Sequence, residues 1–249
     1  MVDVAALQET RLASSRSIRE ENYTFFWSGK AEDEHQMHGV AFAVAKKLVK
    51  DFDTLVSVSE RIIHMTFKNA AVSVHLVCVY TPTLSSDEAV KDEPYGSLER
   101  VLRNFPADDH VLLLGDFNAR VGANHSAWPD AIGRFGVGRV NENGQRVLEL
   151  CSQHVLCIAN TWFKQSERRR VTWRHPHSNR WHQLDLALTK RRDIGQIKFS
   201  RTYHSTDGDK DHSLVLTQLR LPKRKPMSKR SQKPQIGRAS CRERVCQYV

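Results

Sequence analysis

No apolar run in the sequence comes near the ~20 residues that a helix needs to span a bilayer. The opening Met1-Val2-Asp3-Val4 lacks the basic start and long apolar stretch of a secretory signal, so none is expected, and no membrane partner either. Cysteine is sparse: Cys78, Cys151, Cys157, Cys241 and Cys246 contain no C-x-x-C pair and leave an odd one. That disfavours a disulfide scaffold or a zinc ribbon, predicts no disulfide partner, and fits a reducing intracellular compartment. Gly133, Gly136 and Gly138 make no dinucleotide fingerprint, because no strand leads into them and no helix clearly follows. Internal repeats are absent as well.

The 249 residues, 40% of them hydrophobic and 27% charged, are enough to bury a core unaided and too apolar for a disordered chain. The net charge of +10 suggests nucleic acid, but its location changes the reading. Residues 220–249 hold ten Lys/Arg and one acid, Glu243, for a net +9, and the rest of the chain carries only +1. Global basicity is therefore a property of the tail, and any nucleic-acid argument for the folded part must rest on local sites. From about Leu221 onward Pro, Lys, Arg and Ser dominate and apolar periodicity stops. The expectation is a domain over 1–219 followed by a disordered basic tail over 220–249. Within that tail, residues 236–249 resemble the translation of a sequencing-library adapter, in which case Cys241 and Cys246 carry no meaning.

Strand-like runs occur at Val2–Leu7, Gly39–Ala45, Thr54–Val58, Ile62–Phe67, Val72–Val79, Val111–Leu114, Leu184–Leu188 and Ser213–Leu219. Helical periodicity covers Asp87–Phe105 and Gln145–His154. Strands outnumber helices and alternate with them irregularly, which points to a mixed α/β domain with hairpins.

Several groups at strand ends are chemically capable. Asp116-Phe117-Asn118 leaves the Val111–Leu114 strand with a carboxylate and an amide side by side, able to hold a water between acceptor and donor. A turn that merely ends the strand explains the pair about equally well. Glu9 follows the first strand and suits a hard cation such as Mg²⁺, although a solvated loop glutamate is the commoner occurrence. Asp185 lies inside an apolar strand, where a carboxylate demands a partner, and His212 in Asp211-His212 is a candidate. Tyr80 ends its strand, suited either to a phosphate contact or to capping the core. Arg174, His175, His177 and His182 match no zinc spacing and read as a loop or a nucleic-acid contact. Each feature is weak alone. Their order, with acids, an amide and a His all at strand ends, is the layout for metal-assisted attack of water on a phosphodiester.

These residues, with the blocks Ala5–Leu12, Leu113–Gly122, Asn141–Cys151, Val171–Leu188 and Asp211–Val215, resemble the endonuclease/exonuclease/phosphatase superfamily. Within it the similarity is to endonuclease domains of RTE-type non-LTR retrotransposons and to the craniofacial development protein 2-like group. The resemblance spans about Val2–Leu219 and implies a four-layer α/β/β/α sandwich of two mixed sheets, DNase I-like, with the active site at one end. It implies Mg²⁺, replaceable by Mn²⁺, as cofactor, DNA as partner and a nuclear location. By motif position Glu9 and Asp211 match metal-binding acids. Tyr80, Asp116, Asn118, Asp185 and His212 match catalytic groups, and Thr172, Trp173 and Arg174 match a supporting, nucleic-acid-facing wall. The family's usual opening strand, which carries an Asn, has no counterpart here, so the chain reads as N-terminally truncated. Lys210 stands where the family has Ser. Loss of that strand bares backbone groups on its neighbours. The competing reading is a catalytically inactive fragment that binds nucleic acid through its tail, with phosphatase action on another phosphoester as a minor alternative.

Overall fold

The computed structural model describes residues 2–68, 72–204, 211–221 and 243–248. Lys210 and most of the basic tail lie outside the described residues. The first half of the chain forms β1 (Val4–Gln8), β2 (Ser15–Arg19), β3 (Tyr23–Ser28), β4 (Val40–Ala45), β5 (Phe52–Ser59), β6 (Ile62–Lys68), β7 (Ser73–Tyr80) and α1 (Glu88–Arg103). It continues with β8 (His110–Asp116), α2 (Glu142–His154), β9 (Leu156–Ile158), β10 (Trp173–Arg174), β11 (Trp181–His182) and β12 (Asp185–Lys190). The last elements are β13 (Ile197–Tyr203), β14 (Leu214–Leu219) and β15 (Glu243–Tyr248).

Two mixed sheets face each other. One runs β13-β14-β15-β1-β4-β3-β2 and the other β5-β6-β7-β8-β12-β9, with β10–β11 as a separate hairpin. The unbroken apolar run of β8 is explained by burial on both faces. Its Leu112 and Leu114 pack with Ala6 and Phe42 of the opposite sheet, while Val111 and Leu113 pack with Leu98 of α1 and Leu148 of α2. Both α-helices thus cover the outer face of the six-stranded sheet. Among the described residues no helix is long and apolar enough to cross a membrane.

The tail departs from the sequence reading. Glu243–Tyr248 is not disordered but forms β15, parallel to β1 and antiparallel to β14. The cause is backbone accounting: without it, the facing edges of β1 and β14 would present unpaired N–H and C=O groups inside the sheet.

Candidate active site

Three neighbouring strands of the six-stranded sheet end level with one another. Tyr80 lies opposite Asp116 and Asp116 opposite Asp185 in the β7–β8–β12 register. Directly opposed residues project from one face, and here that face looks into the sandwich. The other sheet supplies Glu9 just past β1 and His212 just before β14. Tyr80, Asp116, Asp185, Glu9 and His212, scattered along the chain, therefore meet at one end of the molecule.

The metal-binding-type atoms of Asp116, Asp185 and His212 lie within 4.8 Å of one another. His212 donates from Nδ1 to Asp185 Oδ2 at 3.1 Å, with Oδ1 at 3.3 Å. This fixes the ring and leaves Nε2 as the nitrogen that the bond does not use. Burial works against a charged imidazole, but the Asp185 carboxylate beside it prevails and raises His212 to about 9. Burial, reinforced by the Asp185 charge, pushes Asp116 up to about 8. Two buried carboxylates this close repel each other, and a hard divalent cation is the partner that oxygen donors of this kind accept. Asp116, Asp185 and the adjoining Glu9 therefore fit such an ion.

Tyr80 donates its phenol hydrogen to Glu9 Oε1 at 2.6 Å. Burial and that bond both hold the phenol well above its ordinary range. Arg61 stacks 5.3 Å from the Tyr80 ring centroid. Its Nη2 lies 2.7 Å from His38 Nε2, so a buried cation stands behind the phenol. Glu9 and Asn118 adopt φ of 53° and 44°, the left-handed region that costs non-glycine residues energy and is seen where function demands it.

The turn reading of Asp116-x-Asn118 holds. Asp116 Oδ1 accepts the Asn118 backbone N–H at 2.8 Å, an Asx turn, while the Asn118 side chain donates to the Thr81 carbonyl at 2.9 Å. Thr172 is fully buried, and its Oγ1 accepts the backbone N–H groups of Leu184 (3.0 Å) and Asp185 (3.1 Å). It thereby seats the start of β12. The acids Glu9 and Asp211, which the resemblance assigns to the metal, are not in the tight three-residue group. Asp211 instead accepts the Trp173 indole N–H at 3.0 Å. Arg174 is exposed on β10, and its backbone N–H donates to the Asp211 carbonyl.

A cleft of about 640 Å³ opens beside the cluster, lined among others by Asn118, Arg120, Trp173, His175, His182 and Leu184. His182, read from the sequence as a loop or a nucleic-acid contact, lies in this lining, and so does Arg120, which no motif marks. The motif reasoning also misses Asn143, which is buried and whose Nδ2 donates to the carbonyls of Pro82 (3.1 Å) and Asn118 (3.0 Å), tying two cleft loops together. Asn141 Oδ1 accepts the N–H groups of both Gly144 (2.8 Å) and Arg120 (2.9 Å), capping α2 and anchoring the Arg120 loop at once. Gly144 is required there, since a Cβ would stand 1.9 Å from the Arg120 carbonyl oxygen. The Asn-x-Asn-Gly pattern across the helix start is the available signal.

A model of the endonuclease/exonuclease/phosphatase family matches residues 1–207. The chain belongs to that family. Craniofacial development protein 2 of Bos taurus is 27% identical over 220 residues, which cover 88% of this chain and 36% of that protein. The chain thus spans little more than a third of that curated relative. Among solved structures, the endonuclease domain of TRAS1, a telomere-specific non-LTR retrotransposon, aligns at a TM-score of 0.59 with 14% identity, covering 88% of this chain and all of that one. The 3′ phosphatase NExo from Neisseria, bound to product DNA hairpin, aligns at 0.54 with 18% identity, covering 86% of this chain and 87% of that one. Family membership makes the chain one of a group of nucleases and phosphatases, and the facing-sheet fold agrees with these neighbours.

Proposed function

We propose that the chain is a Mg²⁺-dependent endonuclease that hydrolyses DNA phosphodiesters, with Mn²⁺ able to substitute. The carrying observation is the convergence of Asp116, Asp185 and His212 within 4.8 Å, at the sandwich end that also holds the Glu9–Tyr80 pair. A divalent cation held by Glu9 with the Asp116–Asp185 carboxylates would polarise the phosphoryl oxygens and offset the charge that develops on them.

The chain's own groups divide the remaining work. Asp116 accepts the proton of the attacking water, and Asn118 holds that water in line. His212, kept cationic by Asp185, offers Nε2 to a phosphoryl oxygen whose negative charge grows in the transition state. Tyr80 directs its phenol toward the same oxygens once Glu9 is engaged elsewhere. Trp173 and His182 present flat faces to a base or sugar, and Arg120 presents a cation to a backbone phosphate. The DNA-bound Neisseria neighbour and the retrotransposon endonuclease domain support DNA over other phosphoesters.

Nicking of supercoiled plasmid by the full chain, in Mg²⁺ or EDTA, tests this reading. Nicking should require Mg²⁺. Asp116→Ala should lower it by about 10²- to 10⁴-fold, the scale on which a positioned general base acts. Glu9→Gln should cost about 10- to 100-fold, restored in part by excess metal. A folded chain that nicks nothing, or an Asp116→Ala protein of full activity, overturns the assignment.

A further inference from the structure

His204 lies outside every motif that marks the site, and its ring touches three separate segments. Nδ1 lies 2.8 Å from Ser213 Oγ and Nε2 lies 2.6 Å from the Arg168 carbonyl oxygen. The Trp181 ring of the β10–β11 hairpin packs edge-on against it, 4.8 Å between centroids. The carbonyl can only accept, so Nε2 must donate to it. In the neutral ring Nδ1 then accepts the Ser213 hydroxyl. The two bonds thus settle the tautomer.

Ser213 follows His212, and the segment carrying both is backbone-paired to the hairpin. Trp173 bridges antiparallel to His212. Arg174 N–H donates to the Asp211 carbonyl at 2.9 Å and Ser213 N–H to the Thr172 carbonyl at 2.8 Å. Residues 211–213 are in effect a third strand beside β10 and β11, and they are short. Two backbone bonds would leave such a strand free to fray. His204 adds a side-chain brace from its far side, gripping Ser213, the Arg168 turn and Trp181 together.

We propose that His204 is a positioning residue for His212: it clamps the Asp211–Ser213 segment to the hairpin and so holds the His212 imidazole against Asp185. It touches neither the reacting atoms nor the three-residue donor cluster, and acts through Ser213. The proposal concerns the reaction inferred above and rests on that reading for its catalytic consequence only; the clamp itself is a property of the fold.

The test uses the full chain with His204→Ala, His204→Gln, Ser213→Ala and the His204→Ala/Ser213→Ala double variant. Glutamine carries both a donor and an acceptor, as the neutral ring does. Amide hydrogen exchange at Arg174 and Ser213 should accelerate about 10-fold or more in His204→Ala, stay near wild type in His204→Gln, and leave the Leu113 amide unchanged. Plasmid nicking by His204→Ala should lose about 10-fold in kcat with KM within about twofold. The double variant should be no worse than His204→Ala, because both changes break the same bond. Unchanged exchange at Arg174 and Ser213 overturns the clamp whether or not the chain nicks DNA. Accelerated exchange with kcat unchanged overturns the positioning role. Accelerated exchange in a wild-type background that shows no nicking at all leaves the clamp standing and counts against the endonuclease reading instead.

Discussion

Within the candidate site, Asp116 and His212 are both shifted upward, and their titrations act in the same direction. Asp116 is raised from the ordinary carboxylate range to about 8, so its protonated form is the one folding favours. That stabilisation is complete below the carboxylate's unfolded pKa and is lost as pH climbs through about 8. His212, raised from 6.5 to about 9, contributes stability that is complete below 6.5 and lost as pH climbs through about 9. Without metal, the protein should therefore melt on the order of 10 °C lower at pH 9 than at pH 6. On the proposed metal dependence, Mg²⁺ should recover much of the difference, since it would bind the folded carboxylates. Asp116→Asn removes one of the two titrations and should flatten the profile. Differential scanning fluorimetry across pH, with EDTA or Mg²⁺, measures all of this, and a metal-free melting temperature that rises with pH would contradict the assigned electrostatics.

At the scale of elements, Thr172 joins the start of β12 to the segment that carries His212. Its hydroxyl serves two buried N–H groups at the start of β12, and its carbonyl receives the N–H of Ser213. Thr172→Val keeps the shape and removes the acceptor, leaving both donors unsatisfied at about 1–3 kcal/mol each. Chemical denaturation should show a loss of that order, with nicking falling further than stability alone explains, because Asp185 leads β12. A neutral Thr172→Val would mean that the β12 start is held by something else. The same locality explains what is legible from sequence. β1, β4, β6, β7, β8, β12 and β14 stand out as runs because their residues are apolar and buried. β2 (Ser-Arg-Ser-Ile-Arg) is exposed throughout, and β13 turns Ser200 and Thr202 inward, so neither shows an apolar alternation. Among site residues, those at strand ends can be placed from the motif. The bonds of Asn143, His204 and Arg61 cannot, because each joins segments far apart in the chain and no local pattern announces such a partner.

At the scale of the molecule, folded body and basic tail divide the electrostatics. Residues 1–219 carry a net +1 and residues 220–249, which include β15, carry +9, so long-range attraction to a polyanion belongs to the C-terminal segment. Replacing Lys223, Arg224, Lys225, Lys229, Arg230 and Lys233 by Gln leaves β15 untouched in sequence. The log–log salt dependence of DNA binding should become shallower by up to about 5, since each phosphate neutralised contributes about 0.9 to the slope. The nicking rate at saturating DNA should stay within about twofold. Fluorescence anisotropy over a salt series measures the first, and an unchanged slope would mean that the folded body holds the phosphates.

Tyr80, Asp116 and Asp185 belong to one sheet, whereas Glu9 and His212 belong to the other. The proposed reaction centre would therefore work as a vernier between two plates. Sliding the plates by about 1 Å would keep every strand, helix and spectroscopic mark of a folded protein, yet would misalign the two halves of the chemistry by enough to cost about 100-fold in rate. Whatever sets the lateral alignment of the sheets, down to side chains such as Phe42 and Leu114 at the heart of the sandwich, would tune the proposed activity from a distance.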